Sequence, residues 1–222
     1  MSINIGITMR VVNATSYNEP RDAISHDWVE FLFSNNLKFT LIPNCGDTVT
    51  KFLDINRVNK IILTNGNDIN DNDNYNDLSN ISEIRDYTEN LIIKWAINND
   101  IDLLGVCRGA QLINLFYGGT LTHNLKHNHV AINHNVSICD DKTSNYFSKN
   151  SFITNSYHKH GIYKENLAKG LTPFAISEDG IVEGYYNNSK ILSIQWHPER
   201  KFSNNHYNSS IPLEFLLNGP WW

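Results

Sequence analysis

No apolar run in this 222-residue chain approaches the roughly 18 residues that a membrane helix needs, so a spanning segment is not expected. The opening, Met1 to Thr8, lacks the positively charged stretch and long apolar core of a secretory leader and reads as a strand. No cluster of Lys and Arg stands against the net charge of −5, which argues against a face that neutralises nucleic-acid phosphates. Cysteine is scarce: Cys45, Cys107 and Cys139 are an odd three in a chain large enough to fold without disulfides, and a cytoplasmic location is the simplest reading. No internal repeat is visible. The Asn/Asp-rich segment from Asn65 to Asn80 places Asp68, Asp71, Asp73 and Asp77 close together. It lacks the Gly and Glu positions of a calcium loop and reads as a solvated loop near a site mouth. His123, His127, His129 and His134 lack a recognised zinc-ligand spacing, so neither a metal nor a cofactor is expected.

What is present is a core-forming alternation. Hydrophobic residues make up 41% of the chain, enough for one domain spanning 1–222. Short Ile/Val/Leu-rich runs at Ile3–Thr8, Phe39–Ile42, Lys60–Leu63 and Asp102–Val106 alternate with helical patterns at Arg21–Asn35 and Ile81–Asn98. The first helix pattern spaces Ile24, Trp28, Phe31 and Leu32 for a core face, the second Ile84, Leu91, Trp95 and Ile97. This is the pattern of an α/β fold with a mostly parallel central sheet and helices on both faces. Later extended stretches, Ile132–Ile138, Phe152–Thr154, Phe174–Ser177 and Ile181–Tyr186, predict a small antiparallel extension or flap. Ile211–Leu217 predicts a short terminal helix, after which Trp221 and Trp222 either anchor the tail or join an interface.

The run Leu103-Leu104-Gly105-Val106-Cys107-Arg108-Gly109-Ala110-Gln111 breaks a strand pattern at a Gly-flanked thiol and starts a helix directly behind it. A sharp strand-to-helix turn lifts such a side chain out of the sheet, and the positive end of the helix favours thiolate. A lone thiol among apolar residues is ordinarily inert core. The reading changes with Ile191-Leu192-Ser193-Ile194-Gln195-Trp196-His197-Pro198-Glu199, a second buried strand that ends in an imidazole and a carboxylate. A thiol nucleophile needs a base for its proton and an acid for the leaving nitrogen. Imidazole supplies both, and Glu199 would orient the ring. Cys107, His197 and Glu199 are therefore the candidate catalytic residues. Cys45 and Cys139 have no comparable setting and read as incidental.

With GVCRGAQ and QWHPE in this order, supported by Leu63-Thr64-Asn65-Gly66-Asn67-Asp68-Ile69 and Asn155-Ser156-Tyr157-His158, the chain resembles the class I (triad) glutamine amidotransferases, and within them the γ-glutamyl hydrolase-like branch. The likeness extends from Ile3 through Glu199, and its narrower look is that of hydrolases of γ-glutamyl nucleotide amidates in capsule phosphoramidate synthesis. It implies a flavodoxin-like sheet, thioester chemistry on a small γ-glutamyl substrate, and an oxyanion hole made by the backbone N–H groups of Gly66 and Arg108. It further implies a glutamyl pocket at Gln111, Asn155, Ser156, Tyr157 and His158. If the leaving group carries a diphosphate, one or two of Arg10, Arg21, Arg108, Lys159 and Arg200 are expected to meet it. Plainer roles stay open: Gly66 as a turn glycine, Gln111 as an exposed helix residue, Tyr157 as a core aromatic. The chain departs from its relatives at Asn65, where a second Gly is common, and at Arg108 and Ala110, positions of variable chemistry. Two further readings are a glutaminase subunit that passes ammonia to a separate synthase and a silent binding module. Either a homodimer or a synthase partner is compatible with the sequence.

Overall fold

Short β-branched runs closed off by turns become strands, and the amphipathic stretches between them become helices that cover the sheet. The structure is a computed structural model that describes residues 3–71, 80–188, 190–201 and 207–222. In chain order it forms β1 (Ile5–Thr8), β2 (Arg10–Asn13), β3 (Pro20–Ala23), α1 (His26–Ser34), β4 (Phe39–Ile42), α2 (Val49–Ile55), β5 (Lys60–Leu63) and α3 (Glu83–Asn98). There follow β6 (Asp102–Val106), α4 (Arg108–Phe116), β7 (Val130–Ile138), α5 (Asp141–Phe147), β8 (Ser151–Tyr157), β9 (Leu171–Ser177), β10 (Val182–Asn187), β11 (Ile191–Ile194) and α6 (Tyr207–Asn218). The expected α/β class holds.

One sheet runs β4-β1-β5-β6-β11-β10-β9-β7-β8. Its first five strands are mutually parallel and the rest antiparallel. The late strands therefore extend the same sheet and do not form a separate flap. Alternation of side chains across the pleat divides the core in two. Ile5, Ile7, Leu104, Val106, Leu192 and Ile194 pack with α1 and α6 on one face. Ile61, Leu63, Leu103 and Ile191 pack with α2, α3 and α4 on the other. β6 is buried along its whole length, as expected of a central parallel strand with both faces covered. Because β1, β5, β6 and β11 are parallel neighbours, the loops after Thr8, Leu63, Val106 and Ile194 open at one edge, where ligands bind in such sheets.

Two helix expectations need correction. The first helix does not begin at Arg21: Pro20–Ala23 pairs with β2 as a hairpin strand, and Ser25 caps α1 by accepting from the Asp27 N–H at 3.3 Å. The helical spacing of Ile24 thus belongs to the approach, not the helix. In α3 the buried stripe is Arg85, Thr88, Glu89, Ile92, Ile93 and Ala96, whereas Ile84 and Ile97 are exposed. Polar residues occupy half of that inward stripe, so apolar spacing misreads the phase. At the chain's end Trp222 stacks on Tyr186 with ring centroids 4.4 Å apart, and with Trp221 it packs on the core. No described helix is long and apolar enough to cross a membrane. Asp73 and Asp77 lie outside the described residues.

Candidate active site

β6 delivers the chain to Cys107, which turns it into α4 at φ 53°, ψ −105°, a backbone state that costs a non-glycine residue free energy. Neighbours hold it there. The Cys107 N–H donates to the Ile194 carbonyl at 2.8 Å, and the Cys107 carbonyl accepts from the Gln111 N–H at 3.1 Å. The helix start presses so closely on β5 that a Cβ at Gly109 would stand 2.3 Å from the Leu63 carbonyl oxygen. Only glycine permits that approach.

β11 lies beside β6, and past its end Asn155 grips the backbone of His197. Asn155 Oδ1 accepts from the His197 N–H at 2.8 Å, and Asn155 Nδ2 donates to the His197 carbonyl at 2.9 Å. His197 Nδ1 pairs with Glu199 Oε1 at 2.7 Å, with both side chains nearly sealed from solvent. This leaves Nε2 without a hydrogen-bond partner among the described residues, and the ring interacts electrostatically with Cys107. Burial pushes the His197 ring towards its neutral form, but the charges of Glu199 and Cys107, with the hydrogen bond to Glu199, raise its pKa to about 10. Burial likewise pushes the Cys107 thiol up, and the His197 and His158 charges outweigh it, so the net displacement is downward. Both displacements favour the thiolate–imidazolium form of the pair.

Cys107 opens on a cleft of about 270 Å³. Gly66, Gln111, Tyr157, His158 and Arg10 line it, together with Lys159 and Arg200. Gly66 has φ 96°, a left-handed conformation that suits glycine, and the Arg10 side chain fills the space a Cβ would need. The Arg108 N–H lies in the first turn of α4, where donors have no intrahelical acceptor. Gln111 is buried, with Nε2 donating to the His160 carbonyl at 3.0 Å. The Tyr157 ring meets His197 edge-on at 5.4 Å, and the Arg200 guanidinium covers its face at 3.7 Å.

Other expected contacts are not brought together. Asn155 is committed to the His197 backbone, and Ser156 is buried with its hydroxyl donating to the His129 carbonyl at 2.7 Å. Neither lines the cleft: Ser156 points to the opposite face of β8 from Tyr157, and Asn155, on the same face as Tyr157, is drawn onto the His197 backbone. Arg21 is on the β2–β3 hairpin, paired with Glu19 and Tyr17 in solvent. The Arg108 guanidinium points away from the thiol into Glu89 and Asp86.

That last arrangement is a part of the site that motif reading missed. Glu89 bridges Arg108 and Arg85, and Arg85 donates to the Thr64 carbonyl at 3.0 Å and to Asn67 at 3.1 Å. Burial lowers the Arg85 pKa to about 10, with Arg108 adding to the effect and Glu89 opposing it. Burial also works against the Glu89 carboxylate, but the two guanidiniums hold it below its ordinary range. One dry ion cluster thus ties the first residue of α4 to the loop that bears Gly66. Its trace in the sequence is the Arg85/Glu89 spacing of one helical turn.

The sheet order, the strained thiol and the Cys–His–Glu set define a class I glutamine amidotransferase fold. The family model of Peptidase C26 matches residues 4–199, and the chain belongs to that family. It is a hydrolase of carbon–nitrogen amide bonds. It is 30% identical over 203 residues to the γ-glutamyl-CDP-amidate hydrolase of Campylobacter jejuni, a match covering 89% of this chain and 90% of that protein. A glutamine amidotransferase-like protein of Lactococcus lactis is 33% identical over 179 residues, 73% of this chain and 74% of the relative. Among solved structures, a Thermoplasma acidophilum protein provisionally described as one subunit of a GMP synthase superposes with TM-score 0.71 at 20% identity, covering 97% of this chain and 93% of the other. That likeness speaks to fold alone.

Proposed function

We propose that this single hydrolase domain cleaves a γ-glutamyl amide whose amine side is an anionic, nucleotide-linked amidate, with γ-glutamyl-CDP-amidate as the leading substrate. In this reading the Cys107 thiolate attacks the γ-carbonyl carbon, and the N–H groups of Gly66 and Arg108 receive the oxyanion. The His197 imidazolium gives its Nε2 proton to the leaving nitrogen as the C–N bond breaks, which leaves a thioester on Cys107. The neutral ring then takes a proton from water, whose oxygen attacks the thioester carbon. Glutamate departs and the thiolate returns. Glu199 keeps the ring oriented and its charged form stable.

The observation that carries this proposal is a thiol on a strained elbow, coupled to a carboxylate-bound imidazole, facing a cleft whose rim bears Arg10, Lys159 and Arg200. Those cations suit phosphate oxygens. The similarity to the Campylobacter enzyme supports the same substrate, and a place in capsule phosphoramidate synthesis is what the resemblance in sequence implies. Free thiols at Cys45 and Cys139 fit a cytoplasmic setting.

The test compares turnover of γ-glutamyl-CDP-amidate, simple γ-glutamyl amines and glutamine by the purified chain. The nucleotide substrate should be hydrolysed with the highest kcat/KM. Equal rates would remove the nucleotide part, and glutaminase activity that appears only with an added synthase would make the chain an ammonia-supplying subunit. Cys107→Ala should abolish turnover while substrate binding by calorimetry is retained. Near wild-type turnover in that variant would end the mechanism.

A further inference from the structure

Behind the cleft, on the antiparallel half of the sheet, Glu183 of β10 is completely buried, and neither carboxylate oxygen has a hydrogen-bond partner among the described residues. Three imidazoles from separate segments surround it. His129 Nδ1, just ahead of β7, lies 3.7 Å from Glu183 Oε1. His134 Nε2, within β7, and His158 Nε2, just after β8, each lie 3.5 Å away. These gaps are too long for good hydrogen bonds. They match the roughly 3.3–3.5 Å that separates ligand atoms around a tetrahedral ion with bonds of about 2.0–2.1 Å.

The outer nitrogens set the tautomers. His129 Nε2 is 2.8 Å from Asp179 Oδ2, which accepts its proton, and Asp179 is itself held by the Ser177 hydroxyl at 2.5 Å. His158 Nδ1 must donate to the His160 carbonyl at 2.9 Å, since a carbonyl can only accept. When His129 and His158 are neutral, His129 Nδ1, which also lies 3.4 Å from the Ser156 hydroxyl oxygen, and His158 Nε2 present lone pairs towards the Glu183 carboxylate. The carboxylate behind His129 and the carbonyl behind His158 form the outer-shell arrangement of metal-binding histidines. A central cation takes the place of the proton that Glu183 otherwise favours on His158 and turns the same contacts into coordination.

We propose that His129, His134, His158 and Glu183 form a binding site for a divalent first-row transition ion, with zinc the best match to three imidazoles and one carboxylate. The donor atoms of His129, His134 and Glu183 lie within 4.8 Å of one another, close enough to converge on one ion, and His158, outside that group but with Nε2 3.5 Å from Glu183 Oε1, completes the set by a side-chain movement. A surface cavity of about 330 Å³ bordered by His129 and His158 gives a route from solvent. The ion joins β7, β10 and the end of β8, and it fixes His158, whose ring also lines the catalytic cleft. The site shares His158 with the catalytic cleft, but none of its other three ligands takes part in the hydrolysis, and the proposal does not rest on that mechanism.

Because Cys107 and His197 can themselves capture zinc, the experiment uses full-length Cys107→Ala protein stripped with a chelator. Zinc is titrated against a chromophoric competitor, and cobalt is followed by its visible spectrum. One equivalent should bind, and cobalt should show d–d bands of tetrahedral strength without a thiolate charge-transfer band. Adding His134→Ala should weaken binding at least 100-fold. Asp179→Asn, which spares every ligand, should weaken it about 10–100-fold, and circular dichroism should show each variant folded. Two results would overturn the proposal: no zinc binding by Cys107→Ala protein, whether or not the wild-type chain holds zinc, or binding unchanged by both further substitutions.

Discussion

Replacing Glu199 by Gln keeps the size and shape of the side chain and removes one negative charge from a nearly dry environment. In the wild-type chain the carboxylate is 2.7 Å from His197 Nδ1. Burial opposes the ring's charge, yet its pKa stands at about 10 against an ordinary 6.5, with Glu199 the largest stabilising influence. Two unit charges roughly 4 Å apart at an effective dielectric constant of about 20 attract by about 4 kcal/mol, or about 3 pKa units. Glu199→Gln should therefore lower the His197 pKa substantially. The imidazolium is in turn the main influence holding the Cys107 thiol low against burial, so the thiolate–imidazolium pair loses ground, offset only in part by removal of the Glu199 charge, which itself raises the thiol pKa.

The sign follows from which forms react. In wild type the reactive pair persists from the lowered thiol pKa up to the His197 pKa, so alkylation by iodoacetamide and kcat/KM should fall as pH drops through the first. Only kcat/KM should fall again, for want of an acid, as pH rises through about 10, since alkylation needs the thiolate alone. In Glu199→Gln the acidic limb moves to higher pH and the basic limb to lower pH. At neutral pH the alkylation rate should drop at least about tenfold, one pKa unit's worth. A variant whose two limbs coincide with those of wild type would refute the claim that Glu199 charges the ring. His197→Ala should cost more turnover than Glu199→Ala, because it removes the proton carrier and not only its support.

Glu89→Gln leaves two buried guanidiniums with less countercharge, and it should destabilise by about 3–5 kcal/mol, roughly 10 °C in Tm for a chain of this size; thermal denaturation reads it, and an unchanged Tm would remove the cluster's structural role. Asn155→Ala releases the backbone of His197 and should lower kcat at least about tenfold with little change in KM. A rise in KM alone would restore Asn155 as a substrate contact. Arg200→Ala should raise KM for γ-glutamyl-CDP-amidate by about tenfold, the loss of a charged hydrogen bond, and leave glutamine kinetics unaltered. Arg21→Ala, on the solvent-exposed hairpin, should leave both steady-state constants as they are.

The linear order of residues was sufficient for the parts governed by local rules. Strand runs such as Lys60–Leu63 and Asp102–Val106 coincide with β5 and β6, because an apolar run bounded by turns has few other ways to bury itself. Cys107 and His197 were legible because each ends a buried strand in a recognisable motif, and parallel neighbours open their ends at one edge. Local rules also misled. In α3 they chose Ile84 and Ile97 for the core, where folding buried Arg85, Thr88 and Glu89 instead, since a charge can be buried once partners from α4 and the β5 loop surround it. Asn155 and Ser156 share a motif with Tyr157 and His158, yet the pleat turns Ser156 away from the cleft and the His197 backbone takes up Asn155. Glu183 and the imidazoles around it come from β7, β10 and the residue after β8. No spacing along the chain encodes that meeting; strand order in the sheet does, because hydrogen-bonded pairing sets remote segments side by side.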